Sequence, residues 1–162
     1  MAHVDFFLKI EGIPGESADA KHKDDIQVES FSFGVSNAGT GHAGGGHGAG
    51  KAAVQDFHFV MTVNKASPKL FLACANGEHF KSATVIARKA GKTPQSFLKW
   101  TFSDCLVSSF QTGGSGSSDV IPLDQVSLNF AKLEQEYKEQ KADGSLSAAI
   151  KTGWDLKSSK AT

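Results

Sequence analysis

Residues Gly45-Gly46-His47-Gly48-Ala49-Gly50-Lys51-Ala52 come within one side chain of a phosphate-binding loop. In such a loop backbone N–H groups cradle the phosphates, the lysine neutralises them, and a serine or threonine hydroxyl holds magnesium. Here Ala52 stands at the hydroxyl position. The residues that follow alternate with a period of two, so they predict a strand and offer no helix N-terminus to a phosphate. Both requirements fail, and the stretch reads as a flexible connection.

The other reactive side chains fare no better. His42 and His47 lie five apart in a glycine coil with no cysteine or carboxylate near them in sequence, which gives a metal at most two ligands. Gly113-Gly114-Ser115-Gly116-Ser117 resembles a nucleophile elbow, but it lacks the closing glycine and joins two strand-like segments where an elbow needs a strand-to-helix turn. The carboxylates of Asp24-Asp25, Glu134 and Glu136 are scattered, and the last two share a face with Lys132 and Lys138, as on a solvated strand. Cys74 and Cys105 form no CxxC pattern; two buried thiols are the favoured reading, with a lone disulfide left open. No catalytic constellation, cofactor site or metal site emerges, and the chain is expected not to be an enzyme.

The elements that would have to position any site are mainly strands. Phe31, Phe33 and Val35 alternate with polar or small residues, as do Phe57, Phe59, Met61 and Val63, then Leu98, Trp100 and Phe102, then Val126, Leu128 and Phe130. Each pattern sends apolar side chains to one face of a sheet. Residues 4–10, 82–89, 104–111 and 150–157 read as further strands. Ile26 and Val28 have the opposite parity from Phe31 and Phe33, and parity changes again between Phe130 and Leu133, so β-bulges are expected at both places. Bulged, coiled strands suit a closed barrel. One short helix is predicted, with Ser67 as N-cap, Pro68 in the first turn and Asn76-Gly77 as the stop; it is expected to plug one end of the barrel.

At 162 residues, with 40% hydrophobic residues, this is one domain over 1–162, and residues 158–162 are expected to fray. Residues 37–50, half of them glycine, form a long extended loop that cannot pack a core. Lys+Arg and Asp+Glu are 17 each and Arg88 is the only arginine, which argues against nucleic acid as partner. The N-terminus lacks a basic and apolar leader and no run is long enough to insert in a membrane, so the expectation is a chain folded in the cytoplasm that leaves, if at all, without an N-terminal signal.

Several segments in order resemble the Hcp family (hemolysin-coregulated protein), the tube subunit of the bacterial type VI secretion system. They include Phe6-Phe7-Leu8-Lys9-Ile10-Glu11-Gly12-Ile13-Pro14-Gly15-Glu16-Ser17, Phe31-Ser32-Phe33-Gly34, Gly44 to Gly50 with Lys51 and Val54-Gln55-Asp56-Phe57, and Asn64-Lys65-Ala66-Ser67-Pro68. Arg88-Lys89-Ala90-Gly91, Leu106-Val107-Ser108-Ser109, Val126-Ser127-Leu128-Asn129-Phe130-Ala131, Gln140-Lys141-Ala142-Asp143-Gly144 and Gly153-Trp154 follow in family order. Phe31 and Phe33 stand where family members often carry tryptophan. The resemblance implies a two-sheet β-barrel with one helix on its side. It implies a homohexameric ring, rings stacked into a tube inside contractile sheath proteins, and a spike or tip protein with which the tube is fired from the bacterial cytoplasm to the medium or a target cell. It also implies small effector proteins carried in the lumen. On that reading Ser32 is expected to face the lumen, and the ring or stacking contacts are expected from Gly44, Gly45, Gly46, His47, Gly48 and Lys51, with Arg88, Lys89, Gly113, Gly114 and Ser115 as further candidates.

Overall fold

The computed structural model describes residues 3–39 and 51–162. Eleven strands and one helix follow one another along the described chain: β1 Val4–Ile10, β2 Ile26–Val28, β3 Ser30–Ser32, β4 Val35–Asn37, β5 Ala52–Val54, β6 Phe57–Thr62, α1 Ser67–Asn76, β7 His79–Lys89, β8 Gln95–Gly113, β9 Leu123–Tyr137, β10 Ile150–Asp155 and β11 Lys160–Ala161. The fold is mainly β, as the alternating pattern predicts. Segments 98–103 and 104–111, read separately from the sequence, are parts of the one long strand β8.

All pairings between strands are antiparallel. The main sheet runs β11-β10-β9-β8-β7-β1-β2, and β3 and β6 join it through β9. β9 is shared along its length: Leu123–Leu128 pair with β6, and Lys132–Tyr137 pair with β10, while β8 pairs with both halves. β2 pairs with β1, and β3, one residue later, pairs with β6. The parity change between Val28 and Phe31 is therefore a corner and not a bulge: Glu29 is the step, and its N–H bonds Val60 O at 2.8 Å.

The second parity change has a different cause as well. Buried residues switch parity in three strands at one level: from Phe80 to Ala83 in β7, from Phe102 to Cys105 in β8, and from Phe130 to Leu133 in β9. The register places Lys81, Asp104 and Ala131 side by side at that level, and the pairing is unshifted across it. Asp104 takes a left-handed backbone (φ 54°), which turns the strand over without inserting a residue. Bulges do occur elsewhere, at Ala87/Arg88 and at Val107/Ser109.

Aromatic rings fill the interior. Phe57, Phe59 and Phe102 are fully buried, and Phe102 meets Phe130 at 4.6 Å and Phe57 at 4.9 Å between ring centres. Such pairs add to the burial energy of the rings themselves. The helix packs against β8, burying Leu70 and Ala73 and leaving Phe71 exposed with its ring edge-on to Phe110. Its cap differs from expectation. Ala66 is the N-cap residue, with no side-chain cap. Ser67 Oγ instead accepts the Asn64 N–H and donates to Asp124 Oδ2, because a buried carboxylate at the start of β9 needs that donor. The stop is as predicted: Gly77 adopts φ 69° and its N–H reaches Ala73 O.

The last residues are also ordered where fraying was expected. Lys160 and Ala161 pair with Asp155 and Trp154, and Thr162 N–H bonds Gly153 O at 3.1 Å. Free edge groups on β10 supply the partner that holds them.

Candidate functional site

The candidate contact residues fall into separate groups. Gly44, Gly45, Gly46, His47 and Gly48, together with His42, lie outside the described residues. Their flanks are paired: Val35, Ser36 and Asn37 of β4 face Val54, Ala53 and Ala52 of β5, so a two-stranded ribbon brackets the segment and already includes Asn37, the first residue of the expected loop. Lys51 is exposed at the Asn37–Ala52 end of that ribbon, and Ala52 opens a strand, as the alternation predicts.

Arg88 does not offer its guanidinium to a surface. It is 6% exposed. Nη1 and Nη2 both donate to the Asp19 carboxylate, and the cation lies 4.8 Å from the Phe7 ring centre. Phe7 in turn stacks on His22, whose Nδ1 sits 3.1 Å from Asp25 Oδ2. The Arg88 bonds hold the Asp19 carboxyl well below the usual carboxylate range. Sequence spacing showed a basic pair at a strand end; the aspartate it needs lies in a loop 69 residues away. Lys89 is half-buried, donates to Gln140 Oε1 at 2.9 Å and lies over Phe97. Gly113 ends β8, and Gly114 and Ser115 follow it, all exposed.

The two cysteines are free thiols. Burial pushes Cys105 up to about 12, which keeps it protonated and inert.

Ser32 is exposed in β3, on the face opposite Phe31, whose ring stacks on Phe57. Directly opposite residues of antiparallel strands share a face. Ser32 faces His58, His58 faces Ser127, and Ser127 faces Ser109, so one row of side chains crosses β3, β6, β9 and β8. His58 Nδ1 and Ser127 Oγ are 3.0 Å apart within it. The neighbouring row is Ser30, Val60, Gln125 and Gln111. These rows hold no lysine, arginine, aspartate or glutamate. Asp56 borders them, and its two oxygens accept from Ser108 Oγ at 2.6 Å and Asn129 Nδ2 at 3.0 Å. Glu29 stands at the corner beyond Ser30. The row was invisible in the sequence because it depends on inter-strand register; alternation puts Ser32, His58 and Ser127 each on a polar strand face but does not set them side by side.

The other outward face is built differently. Lys99, Glu136 and Lys151 form a row across β8, β9 and β10, with Glu136 3.7 Å from Lys151 Nζ and 3.9 Å from Lys138 Nζ. Between the β4–β5 ribbon and the main sheet lies a space of about 480 Å³ lined by Phe33, Val35, Val54, Trp100, Leu133 and Trp154 among others. Among the described residues no three metal-ligating side chains come together, and no helix is long and apolar enough to cross a membrane.

Comparison with known proteins places this arrangement. Residues 7–137 match the family described as "Type VI secretion system effector, Hcp". Protein hcp1 of Pseudomonas aeruginosa is 42% identical over 156 residues, which cover 95% of this chain and 96% of that protein. The crystal structure of Hcp1 from Salmonella typhimurium is 34% identical, covers 100% of both chains and superposes with a TM-score of 0.79. A structure described as a type six secretion system protein, 27% identical, reaches a TM-score of 0.94 over 99% of this chain and 100% of that one. The matched span takes in the aromatic core, the extended-loop ribbon and the row that contains Ser32, and this chain belongs to the Hcp family of type VI secretion tube proteins.

Proposed function

We propose that the chain is a structural tube subunit that assembles into hexameric rings, that the rings stack into a tube within a contractile sheath, and that the tube leaves the bacterial cytoplasm with a spike or tip protein. The observation that carries this reading is the family match along nearly the whole chain. The pairing path adds to it. It runs by hydrogen-bonded pairs from β2 through β1, β7, β8, β9 and β6 to β3, and β2 and β3 are joined only by the chain at Glu29; this supports the reading of the protomer as a two-sheet barrel. A protomer wrapped in this way is a rigid block.

A ring needs heterologous contacts, one face of each copy meeting a different face of the next. Three kinds of surface are available for that: the exposed apolar side of the β4–β5 ribbon, where Val35 is 64% exposed; the charged rows of β8–β10; and the uncharged rows around Ser32. The last suits a lumen wall that holds or passes small effector proteins. Lys51, Lys89 and the Gly113-Gly114-Ser115 turn remain the stacking candidates at the ends of strands. On this reading the protein performs no reaction.

Size exclusion and negative-stain electron microscopy of the purified protein test the assembly. The expected result is a hexamer-sized particle with a central hole. A monomer at every concentration and salt tried would overturn it.

A further inference from the structure

We propose that Asn76 is a latent deamidation site, held shut by the cap that ends α1 and opened whenever the last turn of that helix comes apart. The inference is independent of the tube reading.

An asparagine loses its amide most readily before glycine, which puts no side chain in the way of ring closure. Asn76-Gly77 is the only such pair in the chain, and Asn76 is exposed. In the reaction the Gly77 nitrogen gives up its proton and attacks Asn76 Cγ. The C–N bond of the side-chain amide breaks, ammonia leaves, and a five-membered succinimide remains. Water then opens that ring at one of its two carbonyls, to aspartate or to isoaspartate. No co-reactant other than water is needed.

The fold engages each part of this step. The Gly77 N–H is donated to Ala73 O, so the attacking nitrogen is occupied. Asn76 Oδ1 accepts the Glu78 N–H at 2.9 Å, which fixes the side-chain amide. Ring closure also requires Asn76 to leave the helical backbone it has in α1. Asp143-Gly144, which can close the same ring with loss of water, is held in a similar way. Gly144 N–H bonds Lys141 O at 2.9 Å, and Asp143 Oδ1 accepts from Ser145 N–H and Oγ. That second pair reacts through the protonated acid, and the Ser145 bonds hold the Asp143 carboxyl below the usual range, so Asn76 is the one that reacts first.

The lock on Asn76 is a light one. α1 buries Ser67, Leu70 and Ala73; beyond them Cys74 is half-buried and Ala75 and Asn76 are exposed. A last turn with so little buried opens locally. The change is also one-way. It leaves a carboxylate at the C-terminal end of the helix, where the dipole disfavours it, with Glu78 close by and no basic residue in the last turn. The cap is weaker after the reaction than before it.

The test incubates the purified full chain at neutral pH, in buffer and in guanidinium chloride, and follows the peptide containing Asn76 by mass spectrometry. Conversion should be at least about tenfold faster in denaturant, because the native rate is scaled down by the closed fraction of the last turn. Ala75→Gly, at an exposed position, should speed conversion in buffer about fivefold through its lower helix propensity and leave the rate in denaturant unchanged. Asn76→Asp should melt below wild type. Equal rates in buffer and denaturant, no conversion in denaturant, or an Ala75→Gly rate in buffer equal to that of wild type would each overturn the inference. An Asn76→Asp variant as stable as wild type would overturn its one-way character.

Discussion

Arg88 in β7 and Asp19 in the loop before β2 form a two-pronged ion pair, Nη1 to Oδ1 at 2.9 Å and Nη2 to Oδ2 alongside it. This pins a loop whose other anchors are Gly15 N–H to Asp24 O at 2.7 Å and Ser17 N–H to Asp25 O at 3.0 Å. Because the folded state holds the Asp19 carboxyl below its ordinary value, the pair stabilises the fold at pH values above the usual carboxylate range, and that contribution drains as pH falls through and below that range. Thermal denaturation from neutral to acid pH should therefore show Asp19→Asn less stable than wild type at pH 7, with the gap narrowing as acid is added. A gap of constant size would mean the ionised carboxylate is not the source.

The same loop depends on Gly15. A Cβ there would lie 2.5 Å from Asp25 O and 2.7 Å from Ile26 Cα, both backbone atoms that cannot swing away. Gly15→Ala should cost about 1–3 kcal/mol, the usual range for overpacking, as read by urea denaturation. A change smaller than the fitting error would show that the loop can shift freely.

Phe102 is completely buried and has four rings around it, Phe130, Phe57, Phe33 and Trp100. Phe102→Ala should lower the unfolding free energy by about 3–5 kcal/mol. Ring yield should fall with it, since a sheet whose aromatic core loosens cannot present fixed flanks. Phe102→Leu, which keeps most of the volume, should recover much of both losses.

Asp124 is 1% exposed; Ser67 is the partner of Oδ2, and Oδ1 has none among the described residues. Ser67→Ala should cost about 1–3 kcal/mol by leaving a buried carboxylate without its donor. In the double variant with Asp124→Leu that added cost should disappear. If the two changes were simply additive in denaturant melts, the hydrogen bond would not be what Ser67 contributes.

Much of the fold was legible in the residues. A strand near residues 4–10 is found as β1, and the helix stop followed from Asn76-Gly77, because both are written in local spacing and in the needs of a left-handed cap. What escaped depends on partners distant in the chain. Ser67 looks like a cap until Asp124, 57 residues on, is seen beside it. Residues 158–162 look like a polar tail until the open edge of β10 is found to receive them. Parity marked that the chain changes direction near Glu29 and Ala131, but the same mark fits a bulge, a corner or a face switch, and only the identity of the neighbouring strand separates them. For the candidate surface, alternation put Ser32 outside; the side chains that flank it, His58 and beyond it Ser127, are set by register.

β9 carries a last consequence. It is gripped by β6 along its first part and by β10 along its second, with β8 beside both. No hinge can open between the two groups of strands without bending or tearing this one rod. A push applied at one end of the protomer must then arrive at the other as a push and not be absorbed as internal slip.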